Sequence, residues 1–375
     1  MRVNRPGLGP VLFEKALSCL FVLLIAVGAG GLLTLRAQTT ESRSVPSASE
    51  LQLLVERVRA SGLKPETVAL ARSVAFNLLA ASRYGDAWSI FTALVDRGPA
   101  DQQSHYGGAL ALFNLGRIAQ AEQLVRTAIE LAGSSSAALP PGTGEREIAA
   151  NKRAADSLVL LGVILAVKGD NGGALKSVKR AVQLAPESFD AQFALGRALY
   201  GAGDIVNAVN AFREAIALRP DDLNSRFFLA TTLEVAGDYD HARTAYLELV
   251  ALSPQSAAGH LGLGVLLAKL GPDNAEECIR ELVKATALDG NLYEAQVTLG
   301  RTLIRVGRSA EALLHLTRAV EIAPNNPEPH YQLSLAYRRL GRNDKAAQES
   351  AVVRRIHESR RATGAQSSAQ KTPEY

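Results

Sequence analysis

Three stretches of this chain are near-copies of one another at a fixed spacing. GDNGGALKSVKRAVQLAPES begins at residue 169, GDIVNAVNAFREAIALRPDD at 203 and GDYDHARTAYLELVALSPQS at 237. The opening glycine recurs at 116, 169, 203, 237, 271, 307 and 341, and the last six are separated by 34, 34, 34, 36 and 34 residues. The 53-residue step from 116 to 169 equals one period plus a 19-residue insertion. A chain written this way repeats one small supersecondary unit. Such a unit cannot bury its apolar face alone and is stabilised by stacking on its neighbours.

Eight repeats follow from the register, starting at Val68, Gln102, Ala155, Phe189, Leu223, Ala257, Tyr293 and Pro327. Within each, apolar residues at positions 7 and 11 lie four apart, on one helical face: Leu195 and Leu199, Leu229 and Leu233, Leu299 and Leu303. Position 8 between them is small (Gly162, Gly196, Ala230, Gly264, Gly300), which lets a second helix approach closely. The glycine at position 15 ends the first helix in a left-handed conformation. Asp170, Asp204 and Asp238 then cap a second helix, whose packing face is written by Ala208, Phe212 and Ala215 and their counterparts. Pro186, Pro220, Pro254 and Pro324 stop that helix. The apolar content is Ala- and Leu-rich and only 5% of the chain is aromatic, as suits many short helices and no sheet.

This pattern resembles the tetratricopeptide repeat over about four fifths of the chain. The resemblance implies an all-α fold, a right-handed superhelical solenoid of antiparallel helix hairpins. Departures are local. The tryptophan expected at position 4 is absent, with Gln192, Arg226, His260 and Gln296 there instead. The first repeat has Ser82 for the turn glycine and Leu94 for the second alanine, and its closing proline is Pro99. The sixth repeat carries two extra turn residues and Cys278 in place of alanine. The last has Ser350 for the aromatic residue and Glu358 for the proline, so its second helix is expected to run to about Arg361.

The expected organisation is a signal peptide or membrane anchor over 1–37, a linker and N-terminal capping helix over 38–67, repeats 1–2 over 68–135, and an insertion loop over 136–154. Repeats 3–8 follow over 155–360, then a disordered tail over 361–375. Ser47 with Glu50 forms a capping-box signature for a helix through Leu51, Leu54, Val55 and Val58. Pro140-Pro141-Gly142 breaks the insertion, which then runs into a helical lead-in from Glu145 and divides two repeats from six. At the N-terminus, Arg2, Arg5 and Lys15 precede an apolar run from Ala16 to Leu35. Two readings stand: a leader cleaved after Ala37 or near Val27 and Ala29, or an uncleaved anchor over residues 16–35. Both place the rest of the chain outside the cytoplasm, because the basic flank stays inside. With Cys19 in that segment, Cys278 has no disulfide partner in a mature chain.

No catalytic, cofactor or metal motif is written here. HExxH, GxSxG, GxxxxGK[ST] and paired CxxC are all missing. Gly262-Leu263-Gly264 follows no strand and reads as helix packing; His105, His260 and His330 share position 4 of non-adjacent repeats and read as packing residues. Cys278 reads as a small buried hydrophobe. The net charge of +4 lacks the clustering of a nucleic-acid footprint, so no nucleic acid is expected.

What remains is a groove. The family resemblance implies that first helices line the concave surface through positions 5, 9 and 12 or 13. Carried onto this chain, those positions are Phe193, Arg197 and Tyr200; Phe227, Thr231 and Glu234; Leu261, Val265 and Lys269; Val297, Arg301 and Arg305; and Tyr331, Arg338 and Arg339. The Lys/Asn clamp of some chaperone adaptors is absent. The lining runs from aromatic to basic, and residues 293–361 hold twelve Lys/Arg against seven Asp/Glu. The expectation is a non-catalytic scaffold that binds a protein or peptide with an acidic stretch, touching membrane only through an uncleaved N-terminus. Two alternatives stay open: an accessory subunit of an envelope enzyme or of a secretion or assembly complex, and anionic-polymer binding by the basic C-terminal end around Arg354–Arg361.

Overall fold

A computed structural model of the chain describes residues 47–60, 64–97, 101–137 and 144–369. The leader or anchor, most of the linker, Pro99, Pro140–Gly142 and residues 370–375 lie outside these. Among the described residues there are α-helices, one short 3-10 turn and no strand. A capping helix, α1 (Ala48–Arg59), comes first, and eight antiparallel hairpins follow. The hairpins of repeats 1–4 are α2 (Pro65–Ala80) with α3 (Tyr84–Arg97), α4 (Gln102–Asn114) with α5 (Ile118–Ala137), α6 (Glu145–Val167) with α7 (Asn171–Leu184), and α8 (Phe189–Gly201) with α9 (Ile205–Leu218). Those of repeats 5–8 are α10 (Leu223–Ala236) with α11 (Tyr239–Leu252), α12 (Ala257–Leu270) with α13 (Ala275–Leu288), α14 (Tyr293–Arg305) with α15 (Ser309–Ile322), and α16 (Pro327–Arg339) with α17 (Asn343–Ala369). The chain forms two compact units, an N-terminal array ending at Pro220 and a C-terminal array beginning at Asp221.

Local rules account for the helix ends. Ser47 and Glu50 make both bonds of the capping box at the start of α1. Asp170, Asp204 and Asp238 cap the second helices by accepting from Gly173, Asn207 and His241. First helices have their own caps, which the repeat pattern did not single out: Asp101, Ser188, Asp222, Ser256 and Asn326. The turn glycines all take positive φ, between 71° and 116°. Ser82 adopts the same conformation, with φ 58°, at the one turn where the chain has no glycine.

Position 8 sets how closely the paired helices meet. A Cβ on Gly162 would stand 2.4 Å from Val178, one on Gly196 2.6 Å from the Phe212 ring, one on Gly264 2.6 Å from Leu282, and one on Gly300 2.5 Å from Leu316. In each hairpin the same second-helix position fills the space that the missing side chain leaves. Phe212, Leu282 and Leu316 are fully buried as a result.

Two sequence expectations are corrected. The insertion does not divide the chain: α6 runs unbroken from Glu145, packs on α5, and is tied to α4 where Gln102 donates to the Arg153 carbonyl and to Ser157 Oγ (3.0 and 2.8 Å). The boundary between compact units falls after Pro220 instead. The last helix also continues past Arg361 to Ala369, since no proline or glycine cap stands at Glu358 to stop it.

The Gly196–Phe212 contact makes a sharp test. Gly196→Ala should destabilise the chain by about 1–3 kcal/mol by overpacking against Phe212. Combining it with Phe212→Leu should cost clearly less than the sum of the two single changes in denaturant melts, and strict additivity would contradict the close approach.

Candidate functional site

The groove residues of repeat 4 lie in the N-terminal array. Phe193 is not a groove residue: it is 4% exposed, stacks on Phe189 with 5.8 Å between centroids, and meets Phe212 edge-on at 5.9 Å. The ring turns into the hairpin because Gly196 one turn on leaves Phe212 within reach. Arg197 is largely buried beside it, its guanidinium carbon 5.9 Å from the Phe193 ring, and burial lowers its pKa to about 10. It lines a small, mostly apolar cavity with Gly162, Ala166, Ala198 and Gly201. Tyr200 is half-buried.

Two carboxylates that the sequence reading passed over lie in the same array. Asp156 on α6 and Asp190 on α8 occupy position 2 of successive repeats, and the 34-residue spacing could have paired them. Burial, with the negative charge of Asp190 beside it, pushes the Asp156 carboxyl up to about 6. Burial, followed by the charges of Asp156 and Asp190, likewise drives the Tyr106 phenol well above its ordinary value.

In the C-terminal array, Phe227 is half-buried between Phe228 and Tyr246, with ring centroids at 6.0 and 6.3 Å. Thr231 donates to the Phe227 carbonyl (2.9 Å) and lies 3.1 Å from the Tyr246 hydroxyl. Val297, placed in the groove by position counting, is buried in the core. The basic residues divide by role. Lys269 reaches Glu234 at 3.4 Å, Arg305 donates to the Ala268 carbonyl at 3.5 Å, and Arg339 donates to the Ile304 carbonyl. All three bonds run from position 13 of one repeat to position 12 of the repeat before it. The two arginines cover carbonyls at the end of the preceding first helix, which carries partial negative charge. Arg305 and Arg339 are therefore braces between repeats. Arg301 is exposed and makes no hydrogen bond or ion pair with the described residues, although its charge acts on the Glu294 carboxyl. Arg338 is exposed and donates to Ser334 and Ser350 at 3.1 and 3.4 Å. Tyr331 is 55% exposed.

The position-4 residues make a contact that the missing tryptophan concealed. Gln192 donates to the Pro186 carbonyl (3.0 Å) and Gln296 to that of Gly290 (3.2 Å). His260 Nε2 meets the Pro254 carbonyl at 3.0 Å, and His330 Nε2 meets that of Pro324 at 3.2 Å. Each ties a first helix to the turn six residues earlier. A side chain from the second helix completes three of these struts: Glu281 on His260 and Glu349 on His330 at 2.6 Å, and His315 on Gln296 at 2.8 Å. His105 instead meets the Asp101 carbonyl at 2.9 Å.

Cys278 is buried 3.6 Å from Thr302 Oγ1, and burial raises its thiol pKa. Among the described residues no group of three or more His, Cys, Asp or Glu is placed to hold a metal. None of their helices is long and apolar enough to cross a membrane.

Tetratricopeptide-repeat family models match residues 77–136, 160–223, 193–257, 227–277, 293–326 and 315–348. The chain belongs to the tetratricopeptide-repeat family, whose stacked hairpins form extended concave surfaces for binding other proteins. Solved structures of similar fold include that of the MamA protein (20% identity, 51% of this chain and 98% of that one, TM-score 0.43). Another is YrrB, described as a TPR protein with an unusual peptide-binding site (20% identity, 49% and 94%, TM-score 0.41). A third is the C-terminal part of a TPR repeat-containing protein from Cytophaga hutchinsonii (16% identity, 70% and 99%, TM-score 0.49). No curated protein matches the chain.

The Asp156 environment gives a prediction with a definite sign. Between the ordinary aspartate value of 3.8 and about 6, the folded chain holds a proton that the unfolded chain has released. Stability therefore falls as pH rises through that window. Asp156→Asn should gain roughly 1–3 kcal/mol at pH 7.5 relative to its effect at pH 4, read from denaturant melts at both values.

Proposed function

We propose that this chain is a non-catalytic scaffold that binds an extended segment of another protein along the first helices of its C-terminal array. The partner segment carries acidic residues. The observation that supports this most directly is the contrast among the basic side chains. Arg305, Arg339 and Lys269 are engaged within the array, whereas Arg301 is exposed and unpaired, and Arg338 presents its guanidinium beside hydroxyls only. An exposed arginine that makes no hydrogen bond or ion pair to a carboxylate of its own array suits a forked contact to a carboxylate from outside. Tyr331 supplies apolar area next to Arg338 in sequence register, and the aromatic and hydroxyl patch of Phe227, Thr231 and Tyr246 offers a second anchor. Stacked hairpins hold these groups in place before binding and so lower its ordering cost.

The location proposed is outside the cytoplasm, either released by cleavage near Ala29 or Ala37 or tethered through residues 16–35. An accessory role beside an envelope enzyme or assembly complex is the same binding activity with a larger partner. Anionic-polymer binding is a second reading, favoured by Arg354, Arg355 and Arg361, which are exposed on α17.

Affinity capture from an envelope fraction, followed by anisotropy titration of the captured partner's tiled peptides, tests the main reading. Arg301→Glu with Arg338→Glu should weaken binding at least tenfold, about 1.4 kcal/mol, with Tyr331→Ala acting in the same direction. Unchanged affinity in the double variant would remove the groove from consideration. A loss seen only on neutralising Arg354, Arg355 and Arg361, with a steep salt dependence, would favour the polymer reading. Mass spectrometry of the mature N-terminus should find the chain starting near residue 30 or 38 or retaining residues 16–35; a mature form that starts elsewhere contradicts the location proposed.

A further inference from the structure

Two struts of the C-terminal array differ in kind from the others. The Gln192 and Gln296 amides donate to their turn carbonyls at any ordinary pH. His260 faces two acceptors at once, the Glu281 carboxylate at Nδ1 (2.6 Å) and the Pro254 carbonyl at Nε2 (3.0 Å), and it is 3% exposed. His330 repeats the arrangement with Glu349 (2.6 Å) and the Pro324 carbonyl (3.2 Å). A carbonyl cannot donate. Glu281 is held ionised: burial pushes its carboxyl up, but hydrogen bonds and charge from Lys284 and His260 outweigh that and keep it below the ordinary carboxylate range. To serve both oxygens, each ring must carry both protons.

The charged groups around each ring are few. On α13, Glu281 and, through it, Lys284 (2.9 Å from Glu281) face His260; the inter-repeat turn contributes the Pro254 carbonyl. On α17, Glu349 faces His330, and the turn contributes the Pro324 carbonyl. Among the described residues no further charged group bonds or pairs with either ring.

We propose that His260 and His330 form a proton-dependent latch that holds α12 and α16 to their preceding turns and partner helices while both rings are doubly protonated and loosens them when the rings are neutral. A neutral ring has one N–H for two acceptors. The oxygen left over then faces a lone pair, inside the protein at His260 and near its surface at His330. The stabilisation is present while the rings are doubly protonated and is lost where they are neutral. Carboxylate protonation limits it on the far acid side. Leu261, Val265 and Lys269 ride on the first of these helices, Tyr331 and Arg338 on the second, so the latch ties the order of the groove to pH. The start of α10, where Arg226 stands at position 4, lies in the same array and supplies a reference with no imidazole at that position.

The test is amide hydrogen exchange on the full chain at pH 5.5 and 8.5, corrected for intrinsic rates. Protection at the starts of α12 and α16 should fall at least tenfold more than at the start of α10. In the double variant H260Q/H330Q, which keeps a donor to each carbonyl, that excess should vanish. Equal protection ratios in the native chain, or an excess that survives in the double variant, would overturn the proposal. Should the variant not fold, 15N spectra of the imidazoles in the native chain decide: both nitrogens protonated in His260 and His330 at pH 5.5 supports the latch, and a single neutral tautomer at that pH refutes it.

Discussion

The close approach of two helices across a missing side chain governs this molecule. At Gly162, Gly196, Gly264 and Gly300 there is no room for a Cβ, and the facing residue of the second helix is seated in the gap. That contact fixes the register of these four hairpins. The register sets which first-helix positions face the neighbouring repeat, and so which are left for a partner. Position 8 is thus upstream of the groove even though it contributes nothing to its surface.

Polar connections do the rest of the joining. In repeats 4, 6, 7 and 8, where a bulky aromatic residue would fill position 4 by packing, this chain places Gln192, His260, Gln296 and His330, each hydrogen-bonded to the turn before it. The exchange substitutes a directional bond for area. It also gives the junctions different chemistry from one repeat to the next, amide in some and imidazole in others, although the backbone geometry is the same.

Much of the fold was legible because period and residue size carry it. Gly196 opposite Phe212, Asp204 at a helix start and Pro220 after a helix end can all be read by counting. Counting served the groove less well. Phe193 stands at a position assigned to the concave face, yet its ring lies in the core, because an aromatic residue one turn from Gly196 finds Phe212 nearer than solvent. Arg305 and Arg339 look like ligand-binding residues in a list of charges, and only the three-dimensional offset between adjacent repeats brings them over the carbonyls of Ala268 and Ile304. The boundary after Pro220 has no compositional mark, whereas the proline-rich insertion, which does, leaves α5 and α6 packed together.

The two arginine braces onto first-helix carbonyls point one way. The exposed carbonyls at the end of α12 are covered by Arg305 and those of α14 by Arg339, each from the repeat that comes later in the chain. On a ribosome, a helix end of this kind stays open to water until the next thirty-odd residues have emerged and coiled. At these two helix ends closure is then vectorial, each sealed by the repeat that follows. The first helix of the final repeat, α16, has no successor of its kind among the described residues to seal it.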